Sequence, residues 1–173
     1  MSVIPVDLRI EPLSPQHLGE LLTFYRSLSA DVAWFYRPFE PVDGATLGAH
    51  LEEVAAGRCR SWAVRGPEGA ILGHGFIGGL DAVPVLGIGL HQDYLSRGIG
   101  RRLMEWMLDD ADARRLAVVT LTVMKANERA RRLYERVGFA VTGEADFRAP
   151  GDSLAMERRL PTVANGDAPC DKG

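Results

Sequence analysis

The sequence predicts an α/β protein of the α+β kind, with one mixed sheet and helices on both of its faces. Three observations carry that expectation. Strand-patterned and helix-patterned segments follow in the order β-α-α-β-β-β-α-β-α-β-β, neither the strict alternation of a doubly wound fold nor a strand-only meander. Three strands run consecutively mid-chain, the first two joined by the turn Gly66-Pro67-Glu68-Gly69. A long helical segment then opens on Gly98 and Gly100, just after the third.

Each element has its own signal. Residues 6–11 alternate apolar and polar side chains, as a half-buried strand does. Ser14-Pro15 reads as an N-cap followed by proline at the first helical position. Leu18, Leu21, Leu22 and Tyr25 give that helix one apolar face. Residues 29–44 read as irregular and rich in rings, with Trp34, Phe35, Tyr36 and Phe39 close together. A short second helix is expected over 45–56. Residues 61–64, 70–77 and 83–90 are the consecutive strands. The next helix runs to about Arg114, with Ile99, Leu103, Trp106 and Met107 facing inward. Residues 118–123 form a β-branched strand. Asn127 suits the N-cap of a helix that carries Leu133 and Val137 and stops at Gly138. Residues 140–147 and 153–160 finish as an antiparallel pair.

The 173 residues suffice for one domain with a core of its own, expected over 1–161. The small, polar residues 162–173 read as a disordered tail. Apolar residues make up 46% of the chain and no run is long enough to cross a membrane. A net charge of −3 argues against a nucleic-acid binder. Cys59 and Cys170 form no disulfide framework, and no Cys/His cluster has metal-site spacing. The N-terminus lacks the pattern of a signal peptide, so a cytoplasmic location is expected.

The segment Leu95-Ser96-Arg97-Gly98-Ile99-Gly100-Arg101 carries the functional argument. A strand handing over to a helix leaves backbone N–H groups unpaired at the positive end of the helix dipole. Glycine there lets a bulky anion approach the backbone, so the segment reads as a phosphate cradle. Gly73-His74-Gly75-Phe76-Ile77-Gly78 is a rival, spelling the dinucleotide pattern G-x-G-x-x-G. No helix opens within it, and Gly79 to Pro84 cannot start one. These glycines instead mark a bend or a close backbone approach within the sheet.

The cradle has a second motif downstream: Asn127, Ala130, Leu133-Tyr134 and Gly138-Phe139. Together with the last strand around Ser153-Leu154-Ala155-Met156, these residues resemble the GNAT acetyltransferase superfamily over residues 7–160. The family's loop, Q/R-x-x-G-x-G/A, falls on residues 95–100, and N-x-x-A-x-x-x-Y-x-x-x-G-F on 127–139. The resemblance implies a mostly antiparallel sheet whose fourth and fifth strands splay apart. It also implies acetyl-CoA as donor, no metal, and direct transfer of the acetyl group to an amine. Leu95 departs from the family's Gln or Arg, leaving the contact to backbone N–H groups with Arg97 or Arg101 compensating.

On that resemblance, Leu90 and His91 offer backbone donors to the thioester oxygen, and Leu95, Ser96, Arg97, Gly98, Ile99, Gly100 and Arg101 hold the pyrophosphate. Asn127 reaches the pantetheine arm or caps its helix. Tyr134 matches the general acid that protonates the CoA thiolate, or else packs as an aromatic on its helix. The arginines between 129 and 136 meet the 3′-phosphate or form a solvated face. No carboxylate stands on the fourth strand. His91, Asp81 and His74 are the candidate bases, set against plainer roles as a solvent-facing histidine, a turn aspartate and a strand histidine bonded in the sheet. Trp34, Phe35 and Tyr36 are the expected acceptor wall, or core. The acceptor is a small-molecule amine or a peptide or protein amine. Family members often form homodimers, which no sequence feature here marks. The competing class is a non-catalytic acyl-CoA-binding sensor or interaction module on the same fold.

Overall fold

The computed structural model describes residues 8–160. In chain order the elements are β1 (Arg9–Pro12), α1 (Leu18–Ser27), α2 (Ala30–Phe35), α3 (Gly44–Ala55), β2 (Arg60–Arg65), β3 (Ile71–Gly78), β4 (Val85–Leu90), α4 (Ile99–Ala113), β5 (Val118–Met124), α5 (Glu128–Arg136), β6 (Ala140–Ala145) and β7 (Ser153–Arg159). The start of the expected first strand, residues 6 and 7, and the expected tail over 162–173 lie outside the described residues.

The strands form one sheet in the order β1-β2-β3-β4-β5-β7-β6. All neighbours are antiparallel except β4 and β5, which are parallel and share a single registered pair, Val85 with Thr120. Thr120 closes that end, its N–H and hydroxyl donating to the Pro84 carbonyl at 2.8 and 2.9 Å. Beyond this pair the two strands diverge, and a wedge opens between the C-terminal half of β4 and β5.

Side chains alternate along β2 and separate two cores. Trp62 and Val64 join α4 residues Leu103, Met104 and Met107, whereas Ala63 joins Leu21 of α1, Leu47 and Leu51 of α3 and the ring of Phe39. Helices therefore cover both faces. The G-x-G-x-x-G segment is strand β3. A Cβ on Gly73 would overlap Leu90, and one on Gly75 would lie 2.6 Å from Met107 Sδ, so these glycines allow β4 and α4 close to the backbone.

Two expectations need correction. Residues 29–44 are not wholly irregular, because Ser29 Oγ accepts from Val32 N and caps α2. Trp106 does not face inward and is 49% exposed. Seven residues beyond Ile99 the helix is about 20° short of two full turns, which puts Trp106 at the outer edge of a stripe that Met104, Leu108 and Ala111 complete.

Candidate active site

The glycine loop begins after a short 3₁₀ turn, Gln92–Tyr94. Ser96 adopts φ 60° and Gly98, the N-cap of α4, φ 78°, where an L side chain is disfavoured. The first helical hydrogen bond runs from Arg102 N to Gly98 O, so the N–H groups of Ile99, Gly100 and Arg101 precede the ladder. Gly100 lies against the wedge, and a Cβ there would stand 3.3 Å from Leu90 Cδ1 and 3.7 Å from Leu133 Cδ2. Arg129 Nη1 donates to Ser96 Oγ at 3.2 Å and ties α5 to the loop. Arg97 stacks on the Tyr94 ring, while Arg101 pairs with Glu105 on the exposed face of α4. Arg129, Arg132, Arg136 and Glu128 line an open cavity of about 420 Å³. Leu95 ends the 3₁₀ turn in an extended conformation.

The wedge offers backbone donors, but not both of those expected. His91 N donates to Leu72 O at 2.8 Å and is spent within the sheet. Antiparallel pairing alternates, so the N–H groups of Leu90 and Ile88 point the other way, into the wedge. Across the wedge, Asn127 caps α5, its Oδ1 accepting from Ala130 N at 3.3 Å. Among the described residues its amide NH₂ has no partner. Tyr134 is buried beside Phe139. Burial pushes its phenol up to about 12, and so it stays protonated at neutral pH.

The candidate bases do not converge there. Asp81 sits in the exposed turn after Gly79, beyond the closed end of the wedge and a full strand length from the glycine loop. The His91 ring is held by Gln92 Nε2 and Asp93 N and lines a separate cavity with Glu20, Phe24 and Arg65. His74 is fully buried in β3.

The aromatic segment divides its labour. Phe39 is core. Trp34 and Phe35 are exposed, and Arg148 stacks 4.2 Å from the Trp34 ring centre while donating to the carbonyls of Ala33 and Trp34. This arginine, from the β6–β7 turn, joins α2 to the far side of the sheet. Tyr36 lies flat on β4, where a Cβ on Gly89 would overlap its ring, as one on Gly87 would overlap Phe76. Rings thus fill the space that β4 side chains would occupy.

Sequence reading missed a buried polar chain behind Tyr36. Its hydroxyl lies 2.8 Å from that of Tyr25, which lies 2.7 Å from His74 Nδ1. His74 Nε2 is 2.7 Å from Ser61 Oγ, itself 3.1 Å from His50 Nε2. Burial raises both phenols, lowers His74 and brings His50 down to about 4. Only the polar identity of His74 and Ser61 on apolar strands hinted at it.

A wedge in the sheet, an anion cradle at its mouth and a protonated phenol across it define an acyl-transferase type of site. Residues 21–139 match the model of the Acetyltransferase (GNAT) family, and the chain belongs to that family. It is 41% identical over 69 residues to the 5-NmdU N-acetyltransferase of Pseudomonas phage PaMx11, a match covering 40% of this chain and 45% of the phage protein. It is 37% identical over 60 residues to the ribosomal protein bS18-alanine N-acetyltransferase of Escherichia coli K12, covering 35% and 40%. These matches span less than half the length of either relative. The ribosomal-protein-S5-alanine acetyltransferase of Vibrio fischeri shares the fold, with a TM-score of 0.78 at 14% identity over 94% of this chain and 97% of that one. Among the described residues no group of side chains could hold a metal ion, and no helix is long and apolar enough to cross a membrane.

Proposed function

We propose that this protein moves the acetyl group of acetyl-CoA directly onto a primary amine. The observation that carries this reading is the wedge, where the free edge of β4 meets the glycine cradle at its open end and Tyr134 opposite. The residues fit the donor. The cradle between Ser96 and Arg101, with Arg97 and Arg129 beside it, suits a pyrophosphate. The open edge of β4 and the Asn127 amide suit the pantetheine arm, and the arginine-lined cavity on α5 suits a further phosphate.

In this reading the Leu90 N–H polarises the thioester carbonyl, being fixed by the sheet before charge develops. Tyr134 donates its proton to the departing thiolate; the burial that raises the phenol also raises the proton affinity of a thiolate beside it. Trp34, Phe35 and Tyr36 flank the acceptor, with rings suited to an amine or its neighbouring apolar group. The class of acceptor, small molecule or protein amine, follows from the assay below.

The test is thermal unfolding with and without acetyl-CoA, with NADH as control, followed by thiol release over a panel of amines. At a hundredfold excess over its Kd, acetyl-CoA adds about 2.7 kcal/mol and raises Tm by roughly 5–10 °C. No shift at millimolar acetyl-CoA overturns the reading. A shift without thiol release for any amine favours the non-catalytic sensor, the class to which the missing β4 carboxylate points.

A further inference from the structure

The next inference rests on the acetyl-transfer reading and concerns the acceptor's proton. β4 carries no carboxylate, Asp81 lies at the wrong end of the strand and His91 faces another cavity. The polar chain from Tyr36 to His50 ends over Gly89 of β4, the strand that borders the wedge. Its middle is sealed, with His74 at 0% and Ser61 at 2% exposure. Tyr36 covers Gly89 at one end, close enough to Tyr134 that the two phenols oppose each other's ionisation. At the other, His50 on α3 is half-buried near Glu53, its Nδ1 4.0 Å from Cys59 Sγ. The rings of Phe39 and Phe76 wall the chain against water.

Counting hydrogens restricts this chain. Each hydroxyl brings one, and each neutral imidazole one N–H. Four bonds link the five groups. Two arrangements alone make all four and leave no buried hydroxyl hydrogen unpaired. In the first, every bond points from Tyr36 towards His50, and Tyr36 offers lone pairs to the wedge. In the second, every bond points back, and Tyr36 offers its O–H. His74 and His50 carry opposite tautomers in both.

We propose that Tyr36, Tyr25, His74, Ser61 and His50 form a proton relay between the acceptor amine and solvent at α3. As the amine nitrogen bonds to the acetyl carbon and the C–S bond breaks, the amine proton passes to the Tyr36 oxygen. Each hydrogen moves one place along, and His50 gains one at Nε2 and releases its Nδ1 proton to water. Tyr134 meanwhile protonates the thiolate. The chain now stands in its second arrangement. Run backwards, with His50 taking a proton from water at Nδ1, it returns one through Tyr36 to the Tyr134 phenolate and restores the first. Protons and charge balance over the cycle.

The test has two arms. Long-range ¹H–¹⁵N NMR of imidazole-labelled protein reads the tautomers: opposite tautomers at His74 and His50 are expected, and matching ones overturn the relay. Single-turnover acetylation then uses an alanine-initiated tetrapeptide as the probe. Ser61→Ala slows it tenfold or more, with acetyl-CoA stabilisation and the peptide KM unchanged. His50→Gln keeps a hydrogen bond to Ser61 without passing a proton and slows it likewise, covering a failure of the Ser61 variant to fold. Imidazole in solution restores His50→Ala but not His50→Gln. A wild-type rate in His50→Gln overturns the relay. Failure of acetyl-CoA to bind the wild type instead overturns the acetyl-transfer reading, and the tautomers alone then decide whether the chain exists.

Discussion

The two faces of the sheet solve packing in opposite ways. Under α4 the core is apolar, built from Leu103, Met104, Met107, Ile77 and Met156, and among the described residues Tyr134 at its wedge-side border is its one buried ionisable group. Under α1 and α3 an equally covered region carries two histidines, two tyrosines and a serine in one hydrogen-bonded line. The apolar face holds the glycine loop and β4 in register. The polar face costs stability that a hydrocarbon core would not, since buried polar groups only break even when fully paired. On the proposed reading, this polar chemistry lies on the face that bears Tyr36, the acceptor side.

Acid separates the two faces most strongly. The unfolded chain's histidines take up protons below about pH 6.5, while buried His74 and His50 refuse them. The unfolded state then binds more protons, so stability falls as pH falls. The two groups together remove about 3 kcal/mol between pH 6.5 and 5. Melting curves should show this loss, and His50→Gln should remove about half of it. Next in size, Leu103→Ala in the apolar face costs about 3 kcal/mol; a denaturant midpoint that barely moves would mean that this core is loosely packed.

His74→Leu sharpens the contrast. It conserves volume but takes one of two hydrogen-bond partners from each of the buried hydroxyls of Tyr25 and Ser61, so about 2 kcal/mol is lost; a gain in Tm would show that the polar chain is not needed for folding. Tyr134→Phe acts on chemistry rather than packing. Turnover drops tenfold or more, about 1.4 kcal/mol in barrier, while Tm and acetyl-CoA binding hold; unchanged kcat would remove Tyr134 as the acid. Smallest is Trp106→Ala, expected within about 0.5 kcal/mol of wild type because half of the ring is already in water.

Periodicity made the order of the longer elements legible, and glycine and asparagine chemistry made Gly98 legible at a helix start and Asn127 as an N-cap, because these signals are local. Trp106 misled because a helix edge and a helix face differ by only a few tens of degrees. The α2 helix went unseen because six residues carry too little periodicity. His91 was misjudged as a donor because whether an N–H faces the wedge or β3 depends on register, which no single strand reveals.

The sequence by itself determined the family, the order of the longer strands and helices and the glycine turn that opens α4, since each rests on residues near one another in the chain. Tertiary structure alone decided which polar groups meet. Tyr25, Tyr36, His50, Ser61 and His74 come from α1, the end of α2, α3, β2 and β3, separated by as many as 49 residues between bonded partners. A hydrogen bond depends on distances of a few tenths of an ångström, and only the packing of α1 and α3 onto the sheet sets those distances.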